Sequence, residues 1–215
     1  VQSEVVIQST TSLTKKDPDY FPVIIANSIL GGGGEARLFL NLREDKGYTY
    51  GAYSSIGYNK RTATRFRATA SVRNEVTDSS VVELLNEIKK IRTDLVSESE
   101  LRKAKAKDVG NFVRSIDNSS TIATFAYEIL TEGLDRDFYK KYLDKINAVT
   151  AKDVLAVAKK YFNVDQARVI VTGKGVDVLD NLENVRFNNN VLSVNYYNKY
   201  GSCLLYTSDA ADESV

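Results

Sequence analysis

Between Thr64 and Arg73 the chain alternates with period two: Phe66, Ala68, Ala70 and Val72 fall on one side, Arg65, Arg67 and Arg73 on the other. Such a pattern describes a strand with one apolar face and one wet face. A second alternating run, from about Tyr48 to Tyr58, precedes it across Asn59-Lys60-Arg61, and the two read as an antiparallel hairpin. On either side of the hairpin the period changes. Upstream, Phe21, Ile24, Ile25, Ile29 and Leu30 recur at helical spacing until Gly31-Gly32-Gly33-Gly34 stops them. Asp17 is placed to cap that helix and Pro18 to occupy its first position. A second helix is expected from about Glu35 to Lys46, with Leu38 and Leu42 on its apolar side and Gly47 as its end.

The remaining elements follow the same logic. Val5-Val6-Ile7, within Glu4 to Thr10, reads as a strand entering a sheet. Val81, Leu84, Leu85, Ile88, Ile91 and Leu95 mark an amphipathic helix with Asp78 or Thr77 as its cap. Ser97 with Glu100 gives a reciprocal capping arrangement for the next one, whose pattern runs with interruptions toward Leu130 and stops at Gly133. Helices are also expected over Asp137 to Val149 and Thr150 to Phe162, the latter capped by Thr150 with Asp153. Ala167 to Thr172 is a β-branched run suited to the sheet, followed by a short helix around Val176 to Leu182. The order of elements predicts one α+β domain over residues 1–185, a mixed and mainly antiparallel sheet with helices packed mostly on one face. Residues 186–201 read as a surface extension. Residues 202–215 shift composition again, resemble translated adaptor sequence, and are expected to be a non-native, unpacked tail.

Composition narrows the function. Twenty-nine basic and 28 acidic side chains leave a formal charge of +1 over 215 residues, so the broad basic field of a nucleic-acid binder is absent. No apolar run approaches the roughly 18 residues needed to span a bilayer. The sequence begins Val1-Gln2-Ser3-Glu4, which suggests a piece of a longer protein. The one cysteine, Cys203, excludes an internal disulfide. Most restrictive is the absence of histidine: without imidazole or clustered cysteine, a catalytic zinc site in this chain is not expected.

The residues with the most chemical content lie at the helix-to-strand corner. Arg43 is expected in the last turn of its helix and Tyr50 two residues into the following strand, with Gly47 turning the backbone between them. A guanidinium with several fixed donors and a neutral phenol both suit a peptide carbonyl or the oxyanion formed when it is attacked. Taken alone, the same residues also suit a basic helix C-terminus and an ordinary strand aromatic. Four glycines before a helix invite a phosphate-binding reading, but no Gly-Lys-Ser/Thr follows and Glu35 puts negative charge at that helix start. Arg65, Arg67 and Arg73 form a charge stripe that reads first as a solvated strand face, and less readily as a means of favouring acidic peptides.

The stretch Leu42-Arg43-Glu44-Asp45-Lys46-Gly47-Tyr48-Thr49-Tyr50-Gly51, preceded by the glycine turn and Arg37-Leu38-Phe39, resembles the C-terminal domain of the insulinase, pitrilysin and mitochondrial-processing-peptidase family of zinc peptidases. The resemblance implies that Arg43 and Tyr50 hold a peptide substrate against zinc carried by a separate, homologous domain or subunit. It implies that Gly31, Gly32, Gly33 and Gly34 lie near the chamber, and that this chain holds neither the catalytic groups nor the metal. Tyr48 shares the side of Tyr50 by strand alternation, and the family spacing selects Tyr50. The expected partners are therefore a zinc-bearing half and a peptide, with no nucleic acid and no membrane span. Alone, the chain is expected to be inactive. The alternative within the same fold is a catalytically inactive structural or assembly subunit. A bacterial periplasmic or cell-envelope location is suggested only by likeness to bacterial members.

Overall fold

A computed structural model describes residues 2–204. Strand β1 (Gln2–Thr11) leads to helix α1 (Tyr20–Gly31), and a single turn α2 (Arg37–Phe39) continues as a π-helical segment, Leu40–Asp45. The hairpin is β2 (Thr49–Ile56) and β3 (Thr64–Arg73). Helices α3 (Thr77–Thr93), α4 (Glu98–Ser115), α5 (Ser119–Glu128), α6 (Tyr142–Ala148) and α7 (Ala151–Tyr161) come next, then β4 (Arg168–Thr172) and α8 (Gly175–Leu182). The four strands lie in the order β2-β3-β1-β4, and every ladder is antiparallel.

Alternation decides which face of the sheet is covered. Val5 and Ile7 of β1, Ala52 of β2, and Phe66, Ala68, Ala70 and Val72 of β3 are buried in one core with α1, α3 and α7. Stacking of Phe66 on Phe162, 4.5 Å between ring centres, ties the sheet to the end of α7. The opposite face carries Glu4, Gln8, Arg65, Arg67, Thr69, Ser71 and Arg168 and is turned away from the helices. The α+β architecture with helices on one face is thus realised in full. Val178, Leu182 and Val185 belong to the core, and Phe187 and Leu192 pack against it. Beyond them are only two-residue strand pairs, Arg186–Phe187 with Asn190–Val191 and Tyr196–Tyr197 with Cys203–Leu204. Of the expected tail, residues 205–215 lie outside the described residues.

Several boundaries differ from the sequence reading, for local reasons. Helix α1 starts at Tyr20 because the Asp17 carboxylate accepts from the Thr14 amide at 2.7 Å and its hydroxyl at 3.1 Å, closing an earlier turn. Neither Thr77 nor Asp78 caps α3; a 3-10 turn, Asn74–Val76, precedes it, and Val76 occupies the cap position. The Asn74 side chain is instead engaged with Ser3 and Asp177, each at 3.0 Å. Residues 136–141 form turns rather than helix, so the helical pattern expected from Asp137 begins only at Tyr142. Their rings serve packing: Tyr139 stacks on Phe125 at 3.7 Å and Tyr142 on Phe112 at 4.2 Å, joining this segment to α4 and α5. Both capping boxes, Ser97 with Glu100 and Thr150 with Asp153, form as expected.

The glycine run is not one uniform turn. Gly31 ends α1 against β2, where a side chain would collide with the backbone nitrogen of Ser54. At Gly34 a methyl group would meet nothing closer than the Phe39 ring at 3.8 Å. Gly31→Ala should therefore destabilise the fold by roughly 1–3 kcal/mol through overpacking. Gly34→Ala should change it by less than about 0.5 kcal/mol, and urea unfolding of the two variants checks the contrast.

Candidate functional site

The segment from Arg37 to Arg43 uses three flanks of one helical turn, because residues four apart share a side. Leu38 and Leu42 are fully buried in the core. Arg37 and Asn41 make the second flank: Arg37 grips Glu100 of α4 with Nε to Oε1 at 2.6 Å and Nη2 to Oε2 at 3.2 Å. Asn41 donates to Glu83 at 3.0 Å and Glu87 at 2.8 Å, both on α3. Phe39 and Arg43 form the third. The Arg43 guanidinium lies over the Phe39 ring, 4.8 Å from its centre, and its Nε is 3.5 Å from the Glu44 carboxylate. Tyr53 of β2 also packs against Phe39, 6.1 Å between ring centres.

Beyond Arg43 the helix widens into a π segment and then turns. Gly47 adopts φ +63°, its amide donates to the Arg43 carbonyl at 3.1 Å, and the Tyr48 amide reaches the Leu42 carbonyl at 2.8 Å. The chain enters β2 with Thr49 opposite Val72 and Ala52 opposite Ala70. One extra residue therefore sits on β2, a bulge at Tyr50-Gly51, which Thr49 pins through its hydroxyl to the Gly51 amide at 3.1 Å. The bulge breaks the strict alternation on which the equivalence of Tyr48 and Tyr50 rested. Tyr48 is half-buried, whereas Tyr50 is 83% exposed.

Arg43 and Tyr50 thus flank one turn, four residues before Gly47 and three after it, with the turn fixed by the backbone bonds from Gly47 and Tyr48. The Arg43 side chain is 46% exposed. No hydrogen bond joins the two side chains among the described residues. With Tyr50 largely exposed the corner projects as a lip; a groove of about 580 Å³ runs along the other flank of the same segment, past Arg37, Leu40, Asn41 and Asp45, and one of about 430 Å³ lies along Leu101 and Lys105 of α4. Phe39 and Tyr53 build the corner without having been singled out from the sequence. The Phe39–Arg43 pair was legible as an i, i+4 spacing, but Tyr53 is brought in by the sheet. Among the glycines, Gly32 offers its carbonyl to Lys107 of α4, so this loop is tied to the helical layer.

The donor set does not fit zinc. The chain has no histidine, and among the described residues no group of three or more His, Cys, Asp or Glu side chains could hold a metal ion. Nor, among those residues, is any helix long and apolar enough to cross a membrane.

The fastening of the corner depends on pH through Glu100. Burial acts to raise its pKa, but hydrogen bonds from Arg37 and Ser97 outweigh that and lower it to about 2. A carboxylate depressed in the folded state adds stability above its unfolded value, about 4.3, which is lost as pH falls through the folded value. The stability difference between the parent and Glu100→Gln should therefore be largest above about pH 5 and shrink toward pH 2. Urea midpoints measured across that range test it, and a difference independent of pH would refute it.

Comparison with known proteins bears on the fold. Residues 3–107 match the family described as the peptidase M16 inactive domain. The chain is 25% identical over 158 residues to "Uncharacterized zinc protease YmxG" of Bacillus subtilis, covering 72% of this chain and 38% of that protein. It is 23% identical over 159 residues to "Probable inactive metalloprotease YmfF" of the same organism, covering 74% of this chain and 36% of that one. Its fold is that of the crystal structure of a peptidase M16 inactive domain from Pseudomonas fluorescens, with a TM-score of 0.73 and 23% identity over 79% of this chain and 40% of the other. The chain thus spans well under half the length of these relatives. Residues 3–107 thus match the M16 inactive domain, and the chain shares its fold with a solved domain of that description.

Proposed function

We propose that this chain is the substrate-holding half of a zinc metalloendopeptidase acting on peptides or unfolded polypeptides, with Arg43 and Tyr50 as the groups that position the scissile peptide. The metal and the water it activates belong to a separate zinc-bearing half, in the same protein or in a partner subunit. This chain's contribution is to bind and orient. The Arg43 guanidinium, held over the Phe39 ring, presents N–H donors to a peptide carbonyl, and the Tyr50 hydroxyl adds a neutral donor from across the turn. The Gly31–Gly34 loop, tethered through Lys107, would border the chamber.

The observation that carries the reading is the exposure of Tyr50 at a bulge. A strand aromatic serving the fold would be packed, whereas this one sits at a bulge and is left 83% exposed, on the same turn as the half-exposed Arg43. The second reading is an inactive structural or assembly subunit of the same fold. The relative named as a probable inactive metalloprotease favours it. The upstream sequence separates the two: an intact His-x-x-Glu-His helix there or in a partner supports the enzyme, and its absence from both supports the scaffold.

In an active assembly, Arg43→Ala should lower kcat/KM on unstructured peptides by roughly 10²-fold or more, as loss of a carbonyl-stabilising donor does. Tyr50→Phe should lower it less, by about tenfold. Circular dichroism should show both variants folded. Unchanged turnover in Arg43→Ala would remove the proposed role. This chain alone should cleave nothing, and should restore cleavage when mixed with its zinc-bearing half.

A further inference from the structure

The face of the sheet turned away from the helices carries an unbalanced group of arginines. By register, one row crosses all four strands as Ser55, Arg67, Gln8 and Arg168. Arg65, opposite Thr10, stands two residues along β3 from Arg67. The next row, Tyr53, Thr69, Val6 and Ile170, is uncharged, and the one after it holds Ser71, Glu4 and Thr172. Glu4 is thus four residues up β1 from Gln8, about 13 Å away along the strand. Its carboxylate is already engaged by the Ser71 hydroxyl.

Three guanidiniums at one end of the face therefore lack a counter-charge. Arg65, Arg67 and Arg168 make no side-chain hydrogen bond or ion pair among the described residues. Arg67 is half-buried, and its Nε is wholly buried with no partner. Arg37 and Arg92 are paired, with Glu100 and Asp165, and Arg43 lies beside Glu44; what sets Arg65, Arg67 and Arg168 apart is that register gathers them on one face. Like charges gathered on neighbouring strands repel, and a bound anion would relieve that repulsion. The fold keeps all three at one place.

We propose that this end of the open sheet face binds an acidic stretch of extended polypeptide, which gives the substrate class for the function proposed above and rests on it. Arg65 and Arg67 are two residues apart on one strand, about 6.7 Å, which is also the repeat of same-side residues in any extended chain. Carboxylates at alternate positions of a peptide lying along β3 meet them in step. Arg168, two strands away and about 10 Å off, holds a third acid or a neighbouring turn of the substrate. A polypeptide is favoured over nucleic acid because the patch is only three charges wide and the whole chain carries +1.

The test is a binding measurement on the 215-residue chain, independent of any zinc-bearing half. Fluorescence anisotropy would compare labelled synthetic peptides alternating glutamate, glutamine or lysine with threonine, and a single-stranded oligothymidine of matching length, at low and high salt. The glutamate peptide should bind roughly tenfold tighter than the glutamine peptide at low salt and lose that margin at high salt. Arg67→Gln combined with Arg168→Gln should remove the margin. Arg73→Gln, at the far end of β3, should change it less than about twofold. If the double variant fails to fold, Arg168→Glu alone, at an exposed position, should weaken glutamate-peptide binding by about fivefold. Equal binding of the glutamate and glutamine peptides, no effect of Arg168→Glu, or oligothymidine binding as tight as the glutamate peptide would each overturn the proposal. An assembly that cleaves peptides through Arg43 but shows no acidic preference sinks this inference and leaves the peptidase reading intact. Acidic binding with no cleavage by any assembly does the reverse.

Discussion

The placement of the candidate site depends on the burial of two leucines. Leu38 and Leu42 are both sealed in the core, and a helical turn anchored by residues four apart has no rotational freedom left. Every other side chain on the segment has its direction settled by that. Arg37 and Asn41 must meet the acids of α4 and α3, and Phe39 and Arg43 must face the mouth of the hairpin. The polar clamps refine this rather than create it, since Glu100 and Glu83 are partly solvated and exposed pairs contribute little. Removing either leucine would release Arg43 more thoroughly than removing Glu100.

The sheet makes a second, independent use of the same principle. Antiparallel pairing with one covered face forces every second residue outward, and register then decides which outward residues are neighbours. Arg67 and Arg168 are a hundred residues apart in sequence, yet both flank Gln8 because β1 lies between β3 and β4. Among the described ladders of this sheet the register shifts at Tyr50-Gly51, beside the corner. A bulge there redirects one side chain without disturbing Ala52, which remains in the core two residues on. Regular alternation builds the face, and a single interruption builds the lip.

Local signals in the sequence carried most of the element pattern, and their failures share one cause. The Ser97–Glu100 and Thr150–Asp153 boxes were legible because donor and acceptor are three residues apart and need no partner elsewhere. Asp17, Thr77 and Asp78 were equally good caps by composition, but Asp17 is used by Thr14, and the approach to α3 is set by Asn74 reaching Ser3 and Asp177, 71 and 103 residues away. The turns at 136–141 likewise give up helical geometry for ring stacking with α4 and α5. At the site, Arg43 and Tyr50 were nameable from the sequence, whereas Tyr53, the bulge and the contrast between Tyr48 and Tyr50 were not. Those follow from pairing between strands, which a single strand's pattern does not contain.

The exposure of Arg43 and Tyr50 also bears on why such a domain would act as a half. In bulk water a guanidinium stabilises a nearby oxyanion weakly, because solvent screens the charge and competes for every donor. The same group in a dry, low-dielectric site contributes several times more and needs no reorganisation as the reaction proceeds. A projecting lip cannot exclude water from both sides of a bound peptide by itself. For Arg43 and Tyr50 to carry the proposed role, a second surface must close over them and bury the peptide between. In the proposed function, a zinc-bearing half that closed over the corner would supply both the metal chemistry and the exclusion of water.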